Sequence, residues 1–388
     1  MAPATGEQLI ATILKHDSKT TSYKLALLRA LNDVVLTVPD AVHRQQDVAV
    51  PLRSLAEWWV AYYWPFMDRE NPVYQGGRAE RAGMMRNDVG FRPALTHLRQ
   101  VWQQDGQLSA LPADGFFLVS EMRTPRRRAT YAPVLQQAYE EAIHATMVAI
   151  AMPIRYAGEG QWSVFAKPVR QATLPATVWA LPGTQPTDSC VIVPASLWQA
   201  FSRLSLYVEA LSLLEWSLFT EGVTQDGGTT CSRGTAYTLL TARPDNRRSL
   251  TWERNQVDVL LLEKVRFTCP WTQKLLTQPS HYDLDHLLPL TVYPINELWN
   301  LLPVDRQFNQ HVKRDRVPSA ERLTRAEPLL AVTYEKYQQL PTLRRAVRED
   351  ASLRFAGLPA TGDFSQHLAY HTVRFIEDVA QARFVTRF

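Results

Sequence analysis

Tyr282-Asp283-Leu284-Asp285-His286-Leu287-Leu288-Pro289, followed by Asn300 and Asn309, is the stretch on which the reading of this chain turns. It sets an acid beside a histidine, then places asparagines fourteen and nine residues further along. A histidine can take a proton from water near neutral pH. Aspartate and asparagine present hard oxygen donors of the kind that Mg²⁺ accepts. Together these residue types suit hydrolysis of a phosphodiester beside a divalent cation. A lone Asp-His pair carries little weight. Asp-His-x-x-Pro with two spaced asparagines and an upstream Thr268-Cys269-Pro270-Trp271-Thr272 strand carries much more. The bland alternative makes Asp285 and His286 a buried hydrogen-bonded pair and the asparagines turn and cap residues.

Working outward, the 388 residues allow about two or three domains. A hydrophobic content of 46% with 21% charged residues is ordinary for a globular chain with a sizeable core. The net charge is +4, and from residue 233 to 325 there are 14 Lys/Arg against 10 Asp/Glu. The remainder, 28 of each by subtraction, is neutral. The excess positive charge therefore coincides with the motif, as a phosphate-binding surface requires, although solvated helices often carry as much. Cys190, Cys231 and Cys269 form no CxxC pair, which argues against a disulfide framework or a four-cysteine zinc site. A reduced, cytoplasmic setting fits best. The start shows no basic-then-apolar leader, and the longest apolar run, near 145–154, is too short to cross a bilayer.

The expected fold is α+β and mainly helical. Residues 1–225 are expected to form a mostly helical recognition or partner domain. Leu27, Leu28, Leu31, Val34 and Val35 recur at helical spacing after candidate caps Thr20, Thr21 and Ser22. Leu52, Leu55, Trp59 and Tyr62 share a face of a second helix that Pro65 helps to end. A third covers roughly 132–152. Short strands are expected near 160–194, then a strongly apolar helix opening at Pro194 and Ser196. Asp226-Gly227-Gly228 is the best linker, placing the motif in a domain at 226–325, with C-terminal helices over 326–388 that pack on the rest.

The motif resembles that of HNH endonucleases, the ββα-metal family, and most nearly the HNH domain of CRISPR-guided effector nucleases, with Arg316-Val317-Pro318-Ser319 adding to the likeness. The likeness covers about 50 residues around the site, and the effectors' other domains are absent, so it implies a shared nuclease module rather than guided cleavage. It implies a first strand at 282–288 and a return strand at 301–304, then a helix starting over 307–313. It implies Asp285 and Asn309 as ligands of one Mg²⁺ or Mn²⁺, His286 as general base, and Asn300 as the catalytic-loop asparagine that helps orient it. Lys313, Arg314 and Arg316 follow on the helix as expected phosphate contacts. Many relatives carry two cysteine pairs on zinc. Only Cys269 stands where the first would begin, so no structural zinc is expected, and Trp271, Trp299 and Leu301 are candidates for a packed replacement. DNA is the implied partner, with a nick as the product of a single site, and stand-alone members of the family often serve restriction or antiphage defence, where other proteins are possible partners. The alternative function is a DNA-binding or regulatory subunit whose HNH fold is inactive alone, and residue types do not separate DNA from RNA.

Other clusters carry less. Arg247 and Arg248, in the basic stretch 243–248 ahead of Trp252, are candidate nucleic-acid contacts or a solvated turn. Four arginines at 123–128 read first as an exposed loop. His367 and His371 share a helix face but lack a third ligand, and read as structural. His311 is a further possible ligand or a DNA-facing residue.

Overall fold

In the computed structural model the chain is mainly helical with few and short strands, the α+β class expected. The structure describes residues 4–38, 45–77, 80–81, 84–85, 88–106, 111–226, 231–242, 250–290, 292, 297–355, 357–360 and 362–388. It divides into two compact units, Met1–Arg243 and Pro244–Phe388. The linker expected at Asp226-Gly227-Gly228 falls outside the described residues apart from Asp226, as does the basic stretch 243–248 with Arg247 and Arg248.

The first unit is built around the helix Tyr23–Thr37, buried from Leu25 to Leu36 except at Asp33. A helix apolar on all sides needs partners on all sides. Here they are Leu52–Tyr63, Pro133–Tyr156 and the long helix Ala195–Asp226. Ser22, expected to cap the helix, makes no capping bond; its hydroxyl pairs with the Tyr63 hydroxyl at 2.7 Å. Trp59, Tyr63, Phe91 and Trp216 form a contiguous aromatic core. The four arginines at 123–128 are not a free loop. Arg123 pairs with Glu57 at 2.7 Å, and Arg127 is buried beside Glu121 on the short helix Pro125–Arg128. The expected strands join one mixed sheet, in the order Val169–Arg170, Ser189–Val193, Val48–Pro51, Trp179–Ala180.

The second unit carries the motif. Helix Thr251–Leu262 leads to a tight hairpin, Phe267–Thr268 with Leu275–Leu276, and then to a longer one, Tyr282–His286 with Leu301–Asp305. The register sets Asp285 opposite Leu302 and His286 opposite Leu301. Leu301–Asp305 is buried along its whole length. The chain then turns into Arg306–Phe308 and a π-helical turn, Asn309–Lys313. Helices Ala320–Tyr337, Pro341–Ser352 and Phe364–Ala382 complete the unit, the first and last packed together. Among the described residues no helix is long and apolar enough to cross a membrane.

Candidate functional site

The hairpin presents Asp285 and His286 at the end of its first strand, and both are enclosed. His286 is 8% exposed. The strand is followed by a loop that Asn300 pins from below. Asn300 is wholly buried; its Oδ1 accepts from Leu288 N at 2.8 Å and its Nδ2 donates to Leu288 O at 3.0 Å. Its carbonyl also accepts from Leu287 N at 2.8 Å. One asparagine thus satisfies both backbone groups of Leu288, two residues beyond His286.

Asn300 is itself held from the C-terminal helices. Asp350 accepts from Leu298 N at 2.8 Å. Arg354 pairs with Glu297 at 2.8 Å, and Glu297 also takes the Trp299 indole N–H. The Tyr334 and Tyr337 hydroxyls donate to the carbonyls of Trp299 and Leu301, at 2.5 and 2.9 Å. Of the three residues expected to form a packed replacement for zinc, Trp299 and Leu301 are fully buried, while Trp271 is half-buried against the Phe388 ring. The Thr268–Thr272 strand is shorter than expected. It ends at Thr268, and Cys269 N bonds Lys274 O at 2.9 Å across a tight turn in which Gln273 takes a positive φ of 59°.

Asn309 and Lys313 lie on the π turn. The helix winds one residue more than an α-helix would, with Arg314 N bonded to Asn309 O at 2.9 Å. Asn309 Oδ1 is buried with no hydrogen-bond partner. Lys313, expected outside as a phosphate contact, lies inside instead and is 1% exposed. Its ammonium sits 2.8 Å from Asp285 Oδ2 and donates to His286 O at 2.8 Å. The contact with Asp285 is a charge contact, since Oδ2 accepts no well-directed hydrogen bond. Burial pushes the Asp285 carboxyl up from 3.8 to about 6, with the Lys313 charge opposing.

Asn309 Oδ1 is buried without a partner, and Asp285 Oδ2 has only a cation, Lys313, against it; both are oxygens of the kind a hard cation takes. The donor types of Asp285 and Asn309 suit such an ion. Among the described residues no group of three or more His, Cys, Asp or Glu comes together. His311 is exposed, His367 Nδ1 lies 3.0 Å from Asp363 O, and His371 stacks on Phe355. Arg314 is exposed; Arg316 is half-buried, with its guanidinium on Val312 O. Beside the motif, Arg306 pairs with Asp283 at 3.0 Å and Gln310 donates to the same carboxylate at 3.1 Å. These partners were not singled out in the sequence, where nothing marks which of many arginines faces Asp283.

Against known families, residues 269–319 match the model described as HNH endonuclease, and residues 4–240, more than half of the chain, match the model described as Domain of unknown function (DUF8808). No curated protein and no solved structure matches the chain.

Proposed function

We propose that this chain, which belongs to the family described as Domain of unknown function (DUF8808) through residues 4–240 and carries an HNH endonuclease domain at residues 269–319, is a metal-dependent DNA endonuclease. The observation that supports this reading is that Asp285, next to His286 on the hairpin, is tied by Lys313 to the turn that starts at Asn309, whose Oδ1 is buried without a hydrogen-bond partner. Asp285 and Asn309 would hold Mg²⁺ or Mn²⁺, which would supply charge neutralisation at the phosphate and at the departing oxygen. So few protein donors suit an ion that keeps water and substrate oxygens. His286 takes the proton of the attacking water, from a backbone fixed by the Leu301 pairing and by Lys313 on its carbonyl. Asn300 orients that backbone without touching the reacting atoms. Arg314, Arg316, Arg247 and Arg248 contact phosphates.

One such centre cuts one strand, so the expected product is a nick; a double-strand break needs a second copy or a second event. A cytoplasmic role in restriction or antiphage defence, with the first unit recognising DNA or a partner protein, is the biological setting we infer from the family resemblance. The Lys313–Asp285 pair favours a second reading, a subunit that is inactive until a partner or DNA engages it.

Supercoiled plasmid incubated with Mg²⁺, Mn²⁺ or EDTA, beside His286→Ala, tests the proposal. Open-circle product that needs metal and vanishes in the variant supports it. Equal cleavage by the variant removes His286 as the base, and inert, well-folded wild type removes a nuclease that acts alone and leaves the second reading.

A further inference from the structure

We infer that Lys313 is an internal counter-cation: it occupies Asp285 when no metal is bound, must leave when metal enters, and thereby makes metal and DNA phosphate bind cooperatively. The inference rests on the reading of Asp285 and Asn309 as metal ligands.

Lys313 is among the least exposed charged residues of the second unit, and an ammonium so enclosed needs a counter-charge. Its carboxylate partner is Asp285, through the same Oδ2 that would face a cation. The ammonium also donates to the His286 carbonyl, so it sits between the proposed ligand and the backbone of the proposed base. A divalent ion on Oδ2 and an ammonium 2.8 Å from it repel each other in a site from which water is largely excluded. Metal entry is therefore an exchange of one cation for another. The displaced ammonium then needs a new anion, and on a segment that also carries the exposed Arg314 the anion of fitting chemistry is a phosphodiester. When DNA supplies that phosphate, the cost of moving Lys313 falls, and metal binds more tightly. By linkage DNA also binds more tightly when metal is present.

The π turn supports this assignment independently. Its closing bond runs from Arg314 N to Asn309 O, and within it Lys313 is buried over the hairpin while the next residue, Arg314, is exposed. Such one-residue insertions are frequent at functional sites.

The test measures Mn²⁺ affinity calorimetrically at pH 8, without DNA, for wild type, Lys313→Met and Asp285→Asn. Lys313→Met keeps the stem and removes the charge. It is expected to bind Mn²⁺ roughly tenfold more tightly than wild type, a usual size for coupled sites. Equal or weaker binding by a folded Lys313→Met overturns the inference. Undiminished binding by Asp285→Asn instead removes Asp285 as a ligand, and with it the reading beneath. A second measurement needs no variant. Reductive methylation of wild type should spare Lys313 in EDTA and modify it in saturating Mn²⁺; continued protection in Mn²⁺ overturns the exchange.

Discussion

Replacing Asn300 by alanine removes both side-chain bonds to Leu288 at once. Leu288 is fully buried, so its N–H and C=O lose their partners at 2.8 and 3.0 Å with no water at hand. Leaving a buried polar group unsatisfied costs about 1–3 kcal/mol, so two groups cost about 2–6 kcal/mol. For a unit the size of Pro244–Phe388, each kcal/mol moves the melting temperature by about 2–4 °C, so a loss of about 3 kcal/mol lowers it by about 6–12 °C. Asn300→Asp keeps the acceptor toward Leu288 N but sets an oxygen against Leu288 O, and should recover only part of this. Scanning calorimetry in EDTA reads the effect on the transition of the second unit. The nicking rate should fall with it, because Leu288 lies two residues beyond His286. The pH profile and the Mg²⁺ requirement of the residual activity should stay as in wild type, since Asn300 neither titrates nor binds the ion. A melting temperature within about 2 °C of wild type would refute the reasoning, as the loop would then owe its shape to something other than these two bonds.

The Glu297–Arg354 pair is enclosed, so Arg354→Met should destabilise the second unit by about 3–5 kcal/mol. The Glu297→Gln/Arg354→Met double variant should recover part of that loss in a denaturant double-mutant cycle, and simple additivity would show that the pair is not coupled. Asp285 is raised from 3.8 to about 6, so the folded state takes up a proton that the unfolded chain does not hold. Its stabilising contribution is complete below about pH 4 and is lost as pH rises to about 6, some 3 kcal/mol at 1.36 kcal/mol per pH unit. In EDTA the unfolding free energy of wild type minus that of Asp285→Asn should fall by this amount over that range; a flat difference would count against the burial argument. A Cβ on Gly115 would lie 2.6 Å from Trp64 Cβ, so Gly115→Ala should cost the first unit about 1–3 kcal/mol in thermal unfolding, and no loss would mean the helices part freely there.

The hairpin was legible because its pattern is local. The Asp-His and Asn spacings carried the resemblance that implied strands at 282–288 and 301–304, and the observed strands, Tyr282–His286 and Leu301–Asp305, lie within a residue or two of those bounds. The helices of the first unit were legible for the same reason, by their spacing. What the sequence concealed depends on partners distant in the chain or on one residue of winding. Nothing in Asn309-Gln310-His311-Val312-Lys313 distinguishes a π turn from an α turn, nor marks Lys313 as the residue that reaches back to Asp285. Ser22 looks like a cap until Tyr63, 41 residues away, takes its hydroxyl. Arg127 looks solvated until Glu121 is seen beside it.

The support of the site follows the same logic. The tight hairpin at Cys269 stands where many HNH proteins bind zinc, and here it is closed by backbone bonds and by Lys274 on Asp305, which in turn caps the helix bearing Asn309 through Phe308 N. On the other side of the motif sequence, residues 297–301 are gripped by Asp350, Arg354, Tyr334 and Tyr337. A zinc ion would fix such a loop through a few strong bonds that form only when its cysteines meet. Here two helices and the turn after the second fix it through several weaker bonds from residues 334 to 354, so no single substitution among them should abolish folding as removal of a structural zinc does. The second unit must then include those helices to hold its site, and a fragment ending near residue 325 should lose the order of Asn300 before it loses the hairpin itself.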